Sequence, residues 1–420
     1  MAARTAVIVD GYSTGNFLPP AFHRLGTEVV HVRSTADLMP SMAPPDLDHY
    51  RAGFACPGAA AIPGVVAQLA EYHPVAVVAG AESGVPLADA LGERLGLAGN
   101  GSRLSAARRD KYVMIETLRA AGLRCARQHV ATSAGEIVAW AEETGGYPVV
   151  VKPLSSASTE DVAICRTAAE ADRAARAVLA NTTMFGERNT SVLAQSFLAG
   201  TEYIVDTVSR DGRRYVCGVW EYVKTTTAAG KPIYDRDVLL DPDAAPVPEL
   251  VGYVDGVLAA LGIRHGPAHA EVIMTPDGPA LVEIAARLNG NMHPGFHDRC
   301  LGGNQADLTA LAFARPDEFT GGGYSRRCHA VVHNTSTTAD GVVESVDQAV
   351  VDEIAALPTV HAVNVKLAPG ARIRPTEDLL TSPLRIFLAG PDPALLAADH
   401  KAIGDLKDRV YRLRGQGEEA

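Results

Sequence analysis

The spacing of hydrophobic and polar positions along this chain changes period several times, and each change marks an element. Ala6–Asp10 is an apolar run closed by Gly11, the pattern of a strand buried on both faces in a parallel sheet. Val29–Val32 and Val75–Ala79 repeat it with helix-compatible segments between, so the N-terminal part reads as a small doubly wound βαβ unit. Ser105–Ala121 has amphipathic helical spacing and stops at Gly122; Ser133–Thr144 has it again, and Tyr147–Lys152 is an apolar strand ending in lysine. Helical spacing at Ala168–Leu179 gives way to a strand at Val192–Leu198 and, after a short linker, to another at Tyr203–Val208. Arg210–Gly212, Gly230–Pro232 and Asp241–Pro248 carry loop residues. Helices are expected at Val251–Leu261 and Asn304–Phe313, strands at Cys328–His333, Ala362–Leu367 and Leu384–Ala389, and a closing helix at Ala394–Arg414. The chain shows no internal repeat and no low-complexity tract.

The most informative stretch lies between the first two of those helices. Two apolar runs, Ala268–Met274 and Ala280–Ala286, flank Thr275–Pro279, which has turn residues. A hairpin closing symmetrically about Asp277 puts Glu271 directly across from Glu283, with His269 and Arg287 on the same face. Opposed Cβ atoms there lie about 5 Å apart, where like charges destabilise the pairing. A facing carboxylate pair calls for a counter-ion, and hard oxygen ligands suit Mg²⁺. On that basis, neutralising either glutamate is expected to relieve a repulsion. The bland alternative is two solvated glutamates on the polar face of an ordinary hairpin.

Composition narrows the setting. The 420 residues suffice for two or three domains with real cores, and at 47% hydrophobic but only 5% aromatic those cores must be built from Ala, Val and Leu. A net charge of −11 with no basic run argues against a nucleic-acid surface. Six cysteines, at 56, 125, 165, 217, 300 and 328, form no CxxC pair and read as reduced thiols of a cytoplasmic protein. No apolar run approaches the roughly 18 residues of a membrane span.

Other candidates are individually weak. Gly11 and Gly15 lack the GxGxxG spacing of a dinucleotide loop. Glu82 follows the strand Val75–Ala79, at the carboxyl end where ligands of such sheets collect, but it reads equally as a cap for the helix beginning near Val85. Lys111 on its helix has the place of a surface charge. Lys152 ahead of Ser155–Thr159 offers a cation and small residues that let backbone N–H groups approach phosphate, without being a Walker loop. His265/His269 and His293/His297 are spaced i, i+4 as in a hydrolytic zinc helix, yet Gly266-Pro267 and Pro294-Gly295 interrupt both and HExxH is missing.

Order makes these signals add up. Lys111, Lys152 with its small-residue loop, the linker Gln195–Leu198 ahead of Glu202, and Glu271/Glu283 with Arg287 together resemble the ATP-grasp superfamily, in which two α+β subdomains hold ATP between them. Within it the chain looks like the carboxylate–amine ligases that make dipeptides, the L-amino-acid ligase group, over its whole length and most closely over Lys111–Gly290. The resemblance implies an α/β and α+β architecture: a Rossmann-like N-terminal domain (1–104), a small lid subdomain (105–192), a large subdomain with the metal site (193–324) and a C-terminal α+β lobe (325–420). It also implies roles. Lys111, Lys152 and the loop residues Ser156, Ser158 and Thr159 would hold ATP phosphates; Gln195, Ser196, Phe197 and Leu198 would read adenine; Glu202 would take the ribose. Glu271 and Glu283 would bind Mg²⁺, two ions with Mn²⁺ able to substitute; Arg287 and His269 would serve catalysis; Glu82 and Gly290 would meet the substrates. The expected activity is ATP-dependent amide formation between a small carboxylate and an amine, through an acyl-phosphate, in a cytoplasmic biosynthetic pathway. Another ATP-grasp ligation (purine, cofactor or cell-wall) and a non-catalytic nucleotide-binding module are the rivals, and a homodimer is one open outcome for assembly. Three departures stand out: Ala285 replaces a metal-binding Asn, the phosphate loop lacks glycines, and Gln195 replaces an acidic hinge residue, although an amide oxygen still accepts a hydrogen bond.

Overall fold

A computed structural model describes residues 4–39, 42–144, 146–154, 162–182, 188–226 and 232–414; the candidates Ser156, Ser158 and Thr159 lie outside the described residues. The chain opens with β1 (Arg4–Val9), α1 (Leu18–Arg24), β2 (Thr27–Arg33), β3 (Ala52–Ala55), α2 (Ile62–Ala70), β4 (Pro74–Ala79) and α3 (Val85–Arg94). These strands form one parallel sheet in the order β3-β2-β1-β4. Ala6–Val9 are wholly buried, as expected of a central parallel strand. The order reverses between β1 and β4, which makes their carboxyl ends the natural ligand crevice. Gly15 belongs to the packing of that crevice: a Cβ there would lie 2.7 Å from the Gly80 carbonyl oxygen. Asp10 is buried there as well, accepting from Ser34 N–H at 2.8 Å and from the Ser34 and Ser83 hydroxyls at 2.6 Å.

Next come α4 (Lys111–Ala120), β5 (Gln128–Ala131), α5 (Ala134–Glu143), β6 (Val149–Lys152), β7 (Ala163–Cys165), α6 (Ala168–Ala180) and β8 (Val192–Ser196). The helix expected from Ser105 starts only at Lys111, because Asp110 caps it by accepting from the main-chain N–H groups of Tyr112 and Val113. The four strands pair antiparallel in the order β5-β8-β6-β7. Helices α5 and α6 cover the sheet through an aliphatic cluster including Ile137, Ala141, Val151, Ala175 and Val178.

The chain then runs through β9 (Thr201–Arg210), β10 (Arg213–Thr226), β11 (Pro232–Leu239), α7 (Val247–Ala260), β12 (Gly266–Thr275), β13 (Gly278–Ala285), α8 (Pro294–Leu301), α9 (Gln305–Ala314) and β14 (Gly322–Gly323). It finishes with β15 (His329–Asn334), β16 (Gly341–Val346), α10 (Gln348–Ala355), β17 (Val360–Val365), β18 (Arg372–Ile373), β19 (Leu384–Gly390), α11 (Pro393–Leu406) and β20 (Tyr411–Leu413). The expected terminal helix therefore ends at Leu406, and Tyr411–Leu413 instead pairs with β16. The long strands β10 and β11 carry too many polar and aromatic residues for a simple alternation to show.

Contacts divide the chain into two compact units. The first holds residues 1–219, 242–294 and 303–324, and contains the strand series β13-β12-β9-β10. The second holds 220–241, 295–302 and 325–420; in it the end of β10 continues into β11-β15-β19-β17, backed by α10 and α11 through Ile354, Ile386, Leu388, Leu396 and Ile403. All six cysteines are free thiols. Among the described residues no helix is long and apolar enough to cross a membrane.

Candidate active site

The β12–β13 hairpin brings Glu271 opposite Glu283, by a route that a symmetric turn does not describe. Thr275 pairs with Gly278, so the hairpin closes on the two residues Pro276 and Asp277, and that register alone would place Glu271 against Val282. A one-residue bulge leaves Val282 without a partner and shifts the ladder, so that Glu271↔Glu283, Ala270↔Ile284 and His269↔Ala285 face each other.

Repulsion between the two carboxylates is not left standing. Lys111 Nζ lies 2.8 Å from Glu283 Oε2, and His269 Nε2 lies 3.5 Å from Glu271 Oε1. Burial favours the neutral form of Glu283, but the charge and hydrogen bond of Lys111, with Lys152 and Arg287 behind it, hold its pKa at about 2. The expectation that neutralising a glutamate relieves strain is thus corrected: the protein already supplies the compensating cations. Lys111 opens α4, and its main-chain N–H donates to the Leu154 carbonyl at 3.1 Å, which ties the helix start to the end of β6. Lys152, the last residue of β6, is buried. Burial and the neighbouring Lys111 lower its pKa, opposed by Glu283, Glu271 and Glu202, and it settles at about 8. Two lysines and three carboxylates are therefore concentrated at one place.

Arg287 places Nε and Nη2 each 3.2 Å from Glu82 Oε2 and donates through Nη1 to its neighbour's carbonyl, Leu288 O, at 2.8 Å. Arg109 Nη1 lies 3.7 Å from the other oxygen of Glu82. The capping role open to Glu82 is not used: it begins a short 3-10 turn, and α3 starts after Gly84 with no side-chain cap. Glu82 instead links the crevice of the parallel sheet to the arginine beside the glutamate pair.

Asp206, which the sequence reading did not single out, organises the remaining side. It sits opposite His269 on β9 and accepts from His269 Nδ1 at 2.8 Å and from Asn289 Nδ2 at 2.8 Å, one partner on each oxygen. Asn289 N–H donates to Gln305 Oε1 at 2.8 Å, and Gln305 Nε2 donates to the carbonyls of Thr207 and Ala268 at 3.1 and 3.0 Å. All four side chains are buried, and their mutual hydrogen bonding fixes the segment after β13 against β9 and β12. Burial lowers the pKa of His269, but Asp206 and Glu271 together raise it to about 9, so the ring is an imidazolium at neutral pH and a donor rather than a base. Glu202 and Asp206 are four residues apart on one strand and so share a face, but only the pairing of β9 with β12 brings Asp206 to His269.

Gln195 and Ser196 end β8; Gln195 is buried and its Nε2 donates to Gln128 Oε1 at 2.9 Å, while Ser196 Oγ accepts from Arg127 N–H at 3.0 Å. Phe197 is exposed and, with Leu198, begins the linker to β9. That linker needs Gly200: its φ is +158° and a Cβ would fall 2.0 Å from the Met274 carbonyl oxygen. Glu202 is buried on β9 opposite Ile273. Gly290 is exposed in the turn after Asn289, where a Cβ would meet nothing within 4 Å, so local packing does not demand glycine there. Ala285 is buried across from His269 and offers no ligand atom.

Two lysines, three carboxylates and an arginine are thus gathered around the hairpin, and comparison with known proteins gives the family. The profile of the ATP-grasp domain matches residues 145–294. The chain is 35% identical to dapdiamide A synthase of Enterobacter agglomerans, over 97% of this chain and 96% of that one. The chain belongs to the ATP-grasp family. It is an ATP-dependent ligase that forms C–N bonds. Its fold is shared by the solved L-amino acid ligase of Bacillus licheniformis (TM-score 0.75, 21% identity, covering 98% of this chain and 99% of that one). The N5-carboxyaminoimidazole synthetase of Staphylococcus aureus, solved with ADP, shares it at a TM-score of 0.66 and 13% identity, covering 96% and 97%.

Proposed function

We propose that this enzyme activates a small carboxylic acid, an amino acid or a close analogue, as its acyl-phosphate and transfers the acyl group to the amine of a second amino-acid-like substrate, with release of ADP and phosphate. The observation that carries this reading is the facing pair Glu271/Glu283, with the charges of Lys111, Lys152 and Arg287 acting on Glu283 and Arg287 paired to Glu82. A carboxylate is a poor acyl donor until one oxygen becomes a phosphate leaving group. Lys111 and Lys152 hold the phosphates of the nucleotide; Glu202 takes the ribose, and Gln195 to Leu198 the base. Glu271 and Glu283 are hard oxygen donors of the kind Mg²⁺ prefers, two ions being the expected number. Bound there, Mg²⁺ supplies charge neutralisation for phosphoryl transfer.

Arg287 acts on the second half of the reaction. Its guanidinium keeps its proton and offers a fork of donors, so it binds the anionic acyl-phosphate and offsets the oxyanion that forms when the amine attacks. Glu82 orients that fork in the resting site and is placed to receive the ammonium group of a substrate in exchange. His269, held as a cation by Asp206, positions Glu271. Hydroxylamine supplied with the correct carboxylate and Mg·ATP tests the reading: a hydroxamate should accumulate with an equal amount of ADP. AMP with pyrophosphate would mean an adenylate route and would overturn it. A phosphate-release screen over pooled amino acids and small acids identifies the pair that is joined.

A further inference from the structure

The second unit carries a cluster that the ligase chemistry does not use. Asp235 on β11, His333 on β15 and His400 on α11 each bring one donor atom to a common point, all within 4.8 Å of one another. His400 Nε2 lies 3.6 Å from Asp235 Oδ2, and His333 Nδ1 lies 3.6 Å from Asp235 Oδ1. These separations are long for a hydrogen bond. The separation to Oδ2 is near the roughly 3.3 Å edge of a tetrahedron whose metal–ligand bonds are about 2.0–2.1 Å, while His333 is measured to the other carboxylate oxygen. His400 Nε2 is also buried without a hydrogen-bond partner among the described residues, a state that costs free energy unless something else fills the position. The two imidazoles meet edge to face with centroids 4.2 Å apart; the main-chain oxygen of Asp235 lies 3.1 Å from His333 Nδ1, a contact that Nδ1 must give up, with its proton, to take an ion.

We propose that Asp235, His333 and His400 form a metal site for a borderline divalent cation such as Zn²⁺, lying wholly within the second unit and independent of the Mg²⁺ pair. Two imidazoles and one carboxylate are ligands that Zn²⁺ takes and that Mg²⁺ does not favour. Three protein ligands leave a fourth position for a water or another donor. One group opposes the ion: the Arg236 guanidinium pairs with Asp235 Oδ2, although at 35% exposure it can turn to solvent. Because the ligands come from two strands and the helix packed over them, the ion acts as a clip holding α11 to the sheet, and it stabilises the folded chain by mass action.

The test is zinc titration of chelator-stripped, full-length protein in excess Mg²⁺, read by bound metal per chain and by melting temperature. One Zn²⁺ per chain and a rise in melting temperature are expected. Co²⁺ at the same site should give the intense visible bands of four-coordination. His400→Gln and His333→Gln should weaken binding by more than the roughly 10–100-fold that changes outside the ligand shell cost. Arg236→Ala should tighten it. His400 is partly exposed, so His400→Gln stays folded and decides the matter if His333→Gln does not. The proposal is overturned if the wild type takes up no stoichiometric zinc, or if His400→Gln binds and responds to it as the wild type does.

Discussion

Arg108 and Lys111 stand three residues apart, both buried, both facing a carboxylate, and the protein uses them in opposite ways. Arg108 directs Nε and Nη2 to Asp89 Oδ2 at 3.2 and 2.9 Å and Nη1 to the Leu261 carbonyl at 2.9 Å, and it also donates to the Gly101 carbonyl. Ser105 completes Asp89 with a 2.7 Å hydrogen bond. That cation is spent entirely on protein groups and ties the segment before α4 to α3 and to the end of α7. Lys111 instead faces Glu283 at the edge of a group of carboxylates which, under the proposed function, exchange their partners for metal and phosphate. A buried charge closed off by its own chain is a lock, and one whose partners can be replaced is a site.

The contrast can be broken most forcefully at the lock. Arg108→Ala should cost about 3–5 kcal/mol of stability, since it strands Asp89 in the interior. Turnover per folded molecule should be unchanged, and pairing Arg108→Met with Asp89→Leu should recover most of the loss in a denaturant titration. A comparable stability loss from Lys111→Met would erase the distinction. Arg287→Ala comes next: hydroxamate formation should fall by roughly 10²–10³, about 2.7–4 kcal/mol, with nucleotide affinity nearly intact, because the charge it meets appears only during reaction. Wild-type turnover in that variant would remove Arg287 from the mechanism.

Glu283→Gln should abolish turnover and also destabilise nucleotide-free protein by about 1–3 kcal/mol, seen as a lower melting temperature, through the loss of the Lys111 partner. The sign with pH follows from the depressed folded pKa. The contribution of Glu283 is complete above the unfolded value near 4.3 and is lost as pH falls from there through about 2. A variant that melts higher than wild type at neutral pH would show that repulsion from Glu271 wins after all. The smallest effect concerns Lys152. Its pKa of about 8 means that phosphate binding draws a proton onto it, so nucleotide affinity should weaken as pH rises past 8, at most tenfold per unit, and calorimetry near that pH should detect proton uptake. Lys152→Ala should flatten the profile.

Much of this was legible in the chain. The apolar runs of β1, β2 and β4 announce a parallel sheet because both their faces are covered, and the hairpin announces itself by two strands around a turn. Candidate residues became persuasive only as an ordered set, since Lys111 alone has the pattern of a surface charge. What stayed hidden depended on tertiary pairing. Asp206 has meaning only once β9 lies beside β12, Arg109 only once Glu82 turns toward it, and the Asp235–His333–His400 group only once a helix from late in the chain crosses two earlier strands. The capping of α4 by Asp110 was readable by rule and was masked by the helix-friendly residues before it.

Val282 makes the hairpin a length buffer. In an unbroken ladder, adding or removing one residue on one strand between the turn and the glutamates would send one carboxylate to the opposite face. With an unpaired residue already absorbed in β13, a chain that lost one position there could shed the bulge and still oppose the same two side chains. The hairpin therefore tolerates the loss of one residue from β13, although Val272, Ala280 and Leu281 are buried and Val272–Met274 are paired to β9. A laboratory deletion of Val282 should leave Glu271 and Glu283 face to face, with the hairpin merely straighter.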